Sequence, residues 1–139
     1  MNLAFAALLV AVSAGKDQAL HLYELTPKNG ALVQRAKYTL PGSPGSQCIS
    51  TDGNHLYVSV RTANSVAAYR IDHAKKTLRP LGLTDIGANA AYISVDRTGR
   101  TLLWASYSGG VVGSHAINKN GAVKAGPLSR IETARCAHA

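Results

Sequence analysis

Five histidines, two cysteines and a terminal Arg135-Cys136-Ala137-His138 segment are the residues of this chain best suited to chemistry. Near neutral pH a histidine takes or gives a proton, a cysteine attacks as its thiolate, and an arginine grips an anion through parallel hydrogen bonds. Spacing narrows these possibilities. His21, His55, His73 and His115 show no His-x-x-x-His pattern, so no metal site is expected. Cys48 and Cys136 follow no metal-ligand spacing, and two thiols so far apart make no disulfide framework, so both read as reduced. Cys48, between Gln47 and Ile49, has the setting of a small packing hydrophobe. Cys136 stands near two cationic side chains that would lower a thiol pKa, and packing is again the simpler reading. Arg61 ends an apolar run and is followed by Thr62, Ala63 and Asn64. It is either a solvated loop residue or one that binds an anionic group.

The elements that position these residues must come from a chain of 139 residues with 46% hydrophobic and 16% charged residues, an ordinary globular composition. Fifteen Lys and Arg against seven Asp and Glu give a formal charge of +8, which favours acidic ligands such as phosphorylated or carboxylated sugars. The basic residues are scattered, with no cluster interleaved with aromatics, so a nucleic-acid partner is not expected. Leu3 to Val12, followed by Ser13, Ala14 and Gly15, has the apolar core and small residues of a signal peptide. No Lys or Arg precedes it, and the run is too short to span a bilayer, so no membrane association is expected. A buried strand is the preferred reading, with a cytoplasmic location as the default and export through this apolar segment as the alternative.

An internal repeat organises the rest. Leu20 to Thr26, Val66 to Asp72 and Val112 to Asn118 recur at an interval of about 46 residues. The same shift pairs Val10, Val12 and Ser13 with Leu56, Val58 and Ser59, and these with Leu102, Trp104 and Ala105. It also places Asp52-Gly53 on Thr98-Gly99, each between two apolar runs, as a hairpin connection requires. The second copy predicts four short strands, Gln47 to Ser50, His55 to Arg61, Ser65 to Asp72 and Leu78 to Ile86, rich in Val, Ile, Tyr and Thr and bounded by turn residues. Helical repeats of similar period need apolar residues at three-and-four spacing over ten or more positions, a pattern missing here. Four antiparallel strands per copy describe the blade of a β-propeller. The expected fold is therefore all-β, an incomplete ring of about three blades at residues 1–46, 47–92 and 93–139. Trp104 falls at the mid-strand position of Val12 and Val58 and should pack between blades.

Each blade has two apolar faces, and three blades leave the outer two bare. The expectation is a portion of a longer protein, or a subunit that self-associates through its exposed blade faces to complete a ring.

The segments LYVSVRTANSVAAYRID, TDIGANAAYISVDRTGRTLLWASYSGGVVGSHAINKNGAV, RIETARCAHA and SAGKDQALHLYEL carry a resemblance. From about Val10 to Ala139 the chain resembles the seven-bladed lactonase family, which includes propeller-type bacterial 6-phosphogluconolactonases and eukaryotic carboxymuconate-lactonizing enzymes. That resemblance implies action on a small anionic lactone or sugar-acid substrate without a cofactor. Hydrolysis needs a base for the attacking water and cationic or N–H donors for the developing oxyanion. The AHA segment is similar to the family's His-bearing segment at the start of an innermost strand, which implies His138 as the catalytic residue. Arg135, three residues earlier, is the substrate-binding candidate beside it, and Arg61, where its strand end would point it into the channel mouth, is the other. The remaining site residues of a complete family member come from later blades, so these 139 residues are expected to be inactive alone. A carboxymuconate-type cycloisomerase portion and a non-enzymatic binding propeller are the alternatives.

Overall fold

The computed structural model describes residues 7–133. Eleven strands run in order through this segment: β1 (Leu8–Ala14), β2 (Ala19–Thr26), β3 (Ala31–Thr39), β4 (Pro44–Ile49), β5 (His55–Val60), β6 (Ser65–Asp72), β7 (Thr77–Asp85), β8 (Tyr92–Val95), β9 (Thr101–Ser106), β10 (Val111–Ala116) and β11 (Ser129–Glu132). Each pairs antiparallel with its chain neighbour inside one of three sheets, β1-β2-β3, β4-β5-β6-β7 and β8-β9-β10-β11. Among the described residues there is no α-helix, and none long and apolar enough to cross a membrane. The second and third sheets are the expected four-stranded propeller blades and the first holds three strands among the described residues, with β1, β5 and β9 occupying the same place in successive repeats.

Why these residues form blades is clearest in the second sheet. In β5 the side chains alternate between faces. Leu56, Val58 and Val60 pack with Leu20, Leu22 and Leu40 of the first unit, while Tyr57 packs with Ile93, Leu102 and Trp104 of the third. Both faces are covered, so the strand is apolar almost throughout instead of alternating with polar residues. Its polar residues, His55 and Ser59, share with Tyr57 the face toward the third unit.

The expected strands Gln47–Ser50 and Leu78–Ile86 end or begin one residue away at Ile49, Thr77 and Asp85, and two further boundaries differ for a structural reason. β4 opens at Pro44, earlier than Gln47, because a bulge between Pro44 and Gln47 lets the Pro-Gly-Ser run join the ladder at its first position, where a missing N–H is tolerated. At the other end of β5 the ladder stops at Val60, and Arg61–Ala63 forms a 3₁₀ turn closed by Asn64 in the left-handed region.

Antiparallel alternation sends the connections to two opposite ends of the blades. At one end lie the β3–β4, β5–β6, β7–β8 and β9–β10 links; at the other lie β4–β5, β8–β9 and the long segment between β10 and β11.

Candidate functional site

Arg61 lies at the first of these ends, and its position is fixed by three contacts. Its backbone N–H donates to the Ser43 carbonyl at 2.8 Å, which ties the β5–β6 turn to the segment entering β4. The Thr62 hydroxyl accepts from the Ser43 N–H at 2.8 Å and completes the clasp. The Arg61 side chain then runs over Gly45, where an added Cβ would stand 2.7 Å from Arg61 Cδ. A glycine in that innermost strand is what lets the aliphatic part of the side chain pass.

Past Gly45 the guanidinium reaches the next unit, and Arg61 Nε donates to Asn89 Oδ1 at 2.8 Å. Its two terminal nitrogens have no partner among the described residues and no carboxylate within ion-pair reach. A half-fixed guanidinium with both Nη groups free suits a planar or tetrahedral oxyanion. Ser43 and Asn89 stand about 46 residues apart, one repeat interval, so the Arg61 clasp uses equivalent positions of two consecutive blades.

Hydrogen bonds also fasten β4 to the neighbouring sheets near this end. Ser13 Oγ donates to the Gly45 carbonyl at 2.8 Å, Gln47 Nε2 donates to Ser13 Oγ at 2.8 Å, and the Ile93 N–H donates to Ser46 Oγ at 3.2 Å. These side chains tie β4 to β1 of the first sheet and to β8 of the third, and they satisfy the Gly45 carbonyl and the Ile93 N–H. Ser59 Oγ is buried close to Gly45 without a hydrogen-bond partner among the described residues.

Cys48 is a free thiol on the same inner strand, and burial pushes it up to about 12. A thiol so disfavoured as thiolate is a packing group. His138, Arg135 and Cys136 lie outside the described residues. β11 does run toward the Arg61 end, where the Thr133 N–H donates to the Gly110 carbonyl at 2.7 Å.

A family model described as "Lactonase, 7-bladed beta-propeller" matches residues 6–132. This chain belongs to that lactonase family. Among curated relatives, it is 34% identical over 130 residues to the 6-phosphogluconolactonase of Serratia proteamaculans, covering 94% of this chain and 38% of that protein. The 6-phosphogluconolactonase of Xenorhabdus nematophila is 30% identical over 131 residues, with 94% of this chain and 39% of the relative covered. The chain thus spans less than two-fifths of the length of these relatives. Among solved structures, the Pseudomonas aeruginosa periplasmic gluconolactonase superposes with a TM-score of 0.79 at 20% identity, covering 88% of this chain and 36% of its own. A Bacteroides fragilis structure gives a TM-score of 0.82 at 22% identity, covering 95% and 38%. At these identities the structures speak to the propeller fold. The lactonase assignment rests on the family match.

Asn89 is the site residue that the sequence did not single out. It sits in Gly-Ala-Asn-Ala-Ala, which reads as a connecting loop. Its only signal is the repeat interval from Ser43, and that signal gains meaning once Arg61 is seen to bridge the two positions.

Proposed function

We propose that this chain supplies the N-terminal blades of a lactone hydrolase whose substrate is a phosphorylated sugar lactone, 6-phosphogluconolactone being the one named for its relatives. The observation that carries this reading is the Arg61 guanidinium, led over Gly45 and bonded to Asn89 at the β5–β6 end of the blades, with its remaining nitrogens without a partner among the described residues. In this reading Arg61 holds the substrate phosphate, and the repeat interval that takes Ser43 to Asn89 takes Asn89 on to Arg135.

The reaction is water attack on the ring carbonyl. His138 accepts a proton from the water as its oxygen bonds to the carbonyl carbon, and Arg135 offsets the charge on the tetrahedral oxyanion. Collapse breaks the bond between the carbonyl carbon and the ring oxygen. That oxygen leaves as an alkoxide and takes the proton back from His138, giving the open-chain hydroxy acid. No electron transfer is involved and no cofactor is needed.

Further blades complete the site in this reading, so the 139 residues alone leave the lactone to its spontaneous hydrolysis. Blade limits at 1–46, 47–92 and 93–139, self-association through the bare outer faces and a cytoplasmic location belong to the same proposal.

The test is a hybrid in which this chain replaces the matching 38% of the Serratia proteamaculans relative. A folded hybrid should hydrolyse 6-phosphogluconolactone well above the spontaneous rate in a pH-stat assay, while the chain alone should not. A hybrid with a cooperative thermal transition and no hydrolysis would overturn the reading.

A further inference from the structure

The opposite end of the blades holds a second concave site. A cleft of about 600 Å³ opens there between the second and third sheets, at a volume typical of small-ligand pockets. Its two walls differ in character. The third-unit wall comes from the β8–β9 turn and the segment after β10, and carries Arg100 and Lys119. The Ile117 N–H donates to the Arg100 carbonyl at 2.7 Å, so these two stretches are joined. Neither cation has a carboxylate partner among the described residues.

The second-unit wall comes from the β4–β5 turn and supplies acceptors. Asp52 Oδ1 accepts from the Ser50 hydroxyl at 2.5 Å and from the Asn54 N–H at 3.0 Å, and the Asp52 side chain is 58% exposed. These bonds hold its carboxyl down to about 2, so it is an acceptor at any physiological pH. The Thr51 hydroxyl donates to the Asp96 carbonyl at 3.3 Å, which leaves its oxygen lone pairs free; Thr98, on the opposite wall in the β8–β9 turn with Arg100, donates its hydroxyl to Asp96 Oδ2 at 2.6 Å and keeps its lone pairs free as well.

The floor is rigid. Gly121 has a φ of +93°, and an added Cβ there would meet the His55 ring, with Cγ only 2.8 Å away. The Tyr57 hydroxyl donates to the Gly121 carbonyl at 2.9 Å and pins the same segment across the two units. His55 Nε2 is buried beneath this floor, against Gly121, with no hydrogen-bond partner among the described residues.

A cationic wall facing an acceptor wall suits a ligand with an anion at one end and hydroxyl donors at the other. We propose that this cleft binds a small phosphorylated polyol, its phosphate on Arg100 and Lys119 of one wall and its hydroxyls donating to Asp52 and Thr51 of the other. The site lies away from Arg61 and does not rest on the proposed hydrolysis.

The test is an amide chemical-shift titration of the 139-residue chain with ribose 5-phosphate, n-propyl phosphate and inorganic phosphate. Ribose 5-phosphate should give saturable shifts at Thr51, Asp52, Thr98, Gly99 and Lys119, and should bind at least about fivefold tighter than n-propyl phosphate, which has the anion without the hydroxyls. The double variant Arg100→Ala, Lys119→Ala changes only exposed side chains and should weaken binding roughly tenfold or more while keeping a dispersed spectrum. Four results would overturn the proposal: no saturation by about 20 mM, shifts centred on Arg61 and Asn89 instead, undiminished binding by the double variant, or equal affinity for ribose 5-phosphate and n-propyl phosphate.

Discussion

Arg61 reaches inward because residue 45 is a glycine and residue 89 can accept a hydrogen bond. With its Nε occupied by Asn89, the guanidinium offers only its outer edge to a ligand. In the Serratia hybrid, Arg61→Ala should lower kcat/KM for 6-phosphogluconolactone by about 10- to 100-fold, the loss of a charge-assisted hydrogen bond. An anchor that grips the phosphate equally in ground and transition states acts on KM and leaves kcat nearly unchanged. Unphosphorylated gluconolactone should therefore be hydrolysed equally by both forms. Arg61→Lys keeps the charge and loses the bond to Asn89, so it should recover part of the affinity. Equal losses on both lactones, measured in steady-state assays, would show that Arg61 does not hold the phosphate.

Strand rows show how the third sheet packs. Ile93, Trp104, Gly113 and Arg130 stand opposite one another across β8, β9, β10 and β11. Gly113 leaves the space over which the Trp104 ring lies, an added Cβ there being 2.6 Å from Trp104 Cε2. Arg130 caps the ring with its guanidinium carbon 5.6 Å from the centroid and donates to the Ile86 carbonyl at 3.4 Å. Gly113→Ala should cost about 1–3 kcal/mol in urea unfolding, because the ring must leave its place in a filled core. Trp104 fluorescence should shift in the folded variant, and unchanged stability would mean that the ring moves freely. Most of these elements were legible from the repeat, since the interval joining Leu20, Val66 and Val112 marks three strands that do align in the blades. β11 was not. The segment between β10 and β11, with its Gly121, Gly126 and Pro127, has neither alternation nor a long apolar run, and only tertiary pairing to β10 defines the strand. For the same reason Arg61 was visible as a cation at a strand end, while Asn89 required two neighbouring blades to be seen together. The cleft on the far side was not legible at all, because Arg100, Lys119 and Asp52 are ordinary turn residues until the second and third sheets meet.

The blades of this chain are joined by an ion-pair cluster as well as by their cores. Glu24 of the first sheet pairs with Lys76 of the second and with Arg35, whose Nε donates to Oε2 at 2.6 Å. Lys76, then Arg35, hold its carboxyl below the usual glutamate value against the opposing effect of burial. A lowered carboxyl contributes stability above its unfolded value of about 4.3, and loses it as pH falls through the folded value. The gap in unfolding midpoint between wild type and Glu24→Gln should be full at pH 7 and close as the pH falls below about 4. A gap independent of pH would show that charge is not what the pair contributes.

What the cores and this cluster cannot do is cover the outer faces. On the third sheet Leu103 is 44% exposed, Tyr92 48% and Ile131 57%, and with Val112 they line one apolar hollow. On the first sheet Leu8 and Val12 are exposed in the same way. An apolar sheet face against water favours association, and faces at the two ends of the array make a head-to-tail contact the natural one. The purified chain should therefore sediment with a weight-average mass that rises with concentration. Leu103→Lys with Ile131→Lys places two charges on one face while leaving the buried residues of β9 intact. This variant should sediment closer to a monomer, with an unfolding midpoint at low concentration near that of the wild type. A wild-type chain that stays monomeric at all concentrations, with a sharp unfolding transition, would show that these flanks tolerate water and that the three blades are stable without a neighbour.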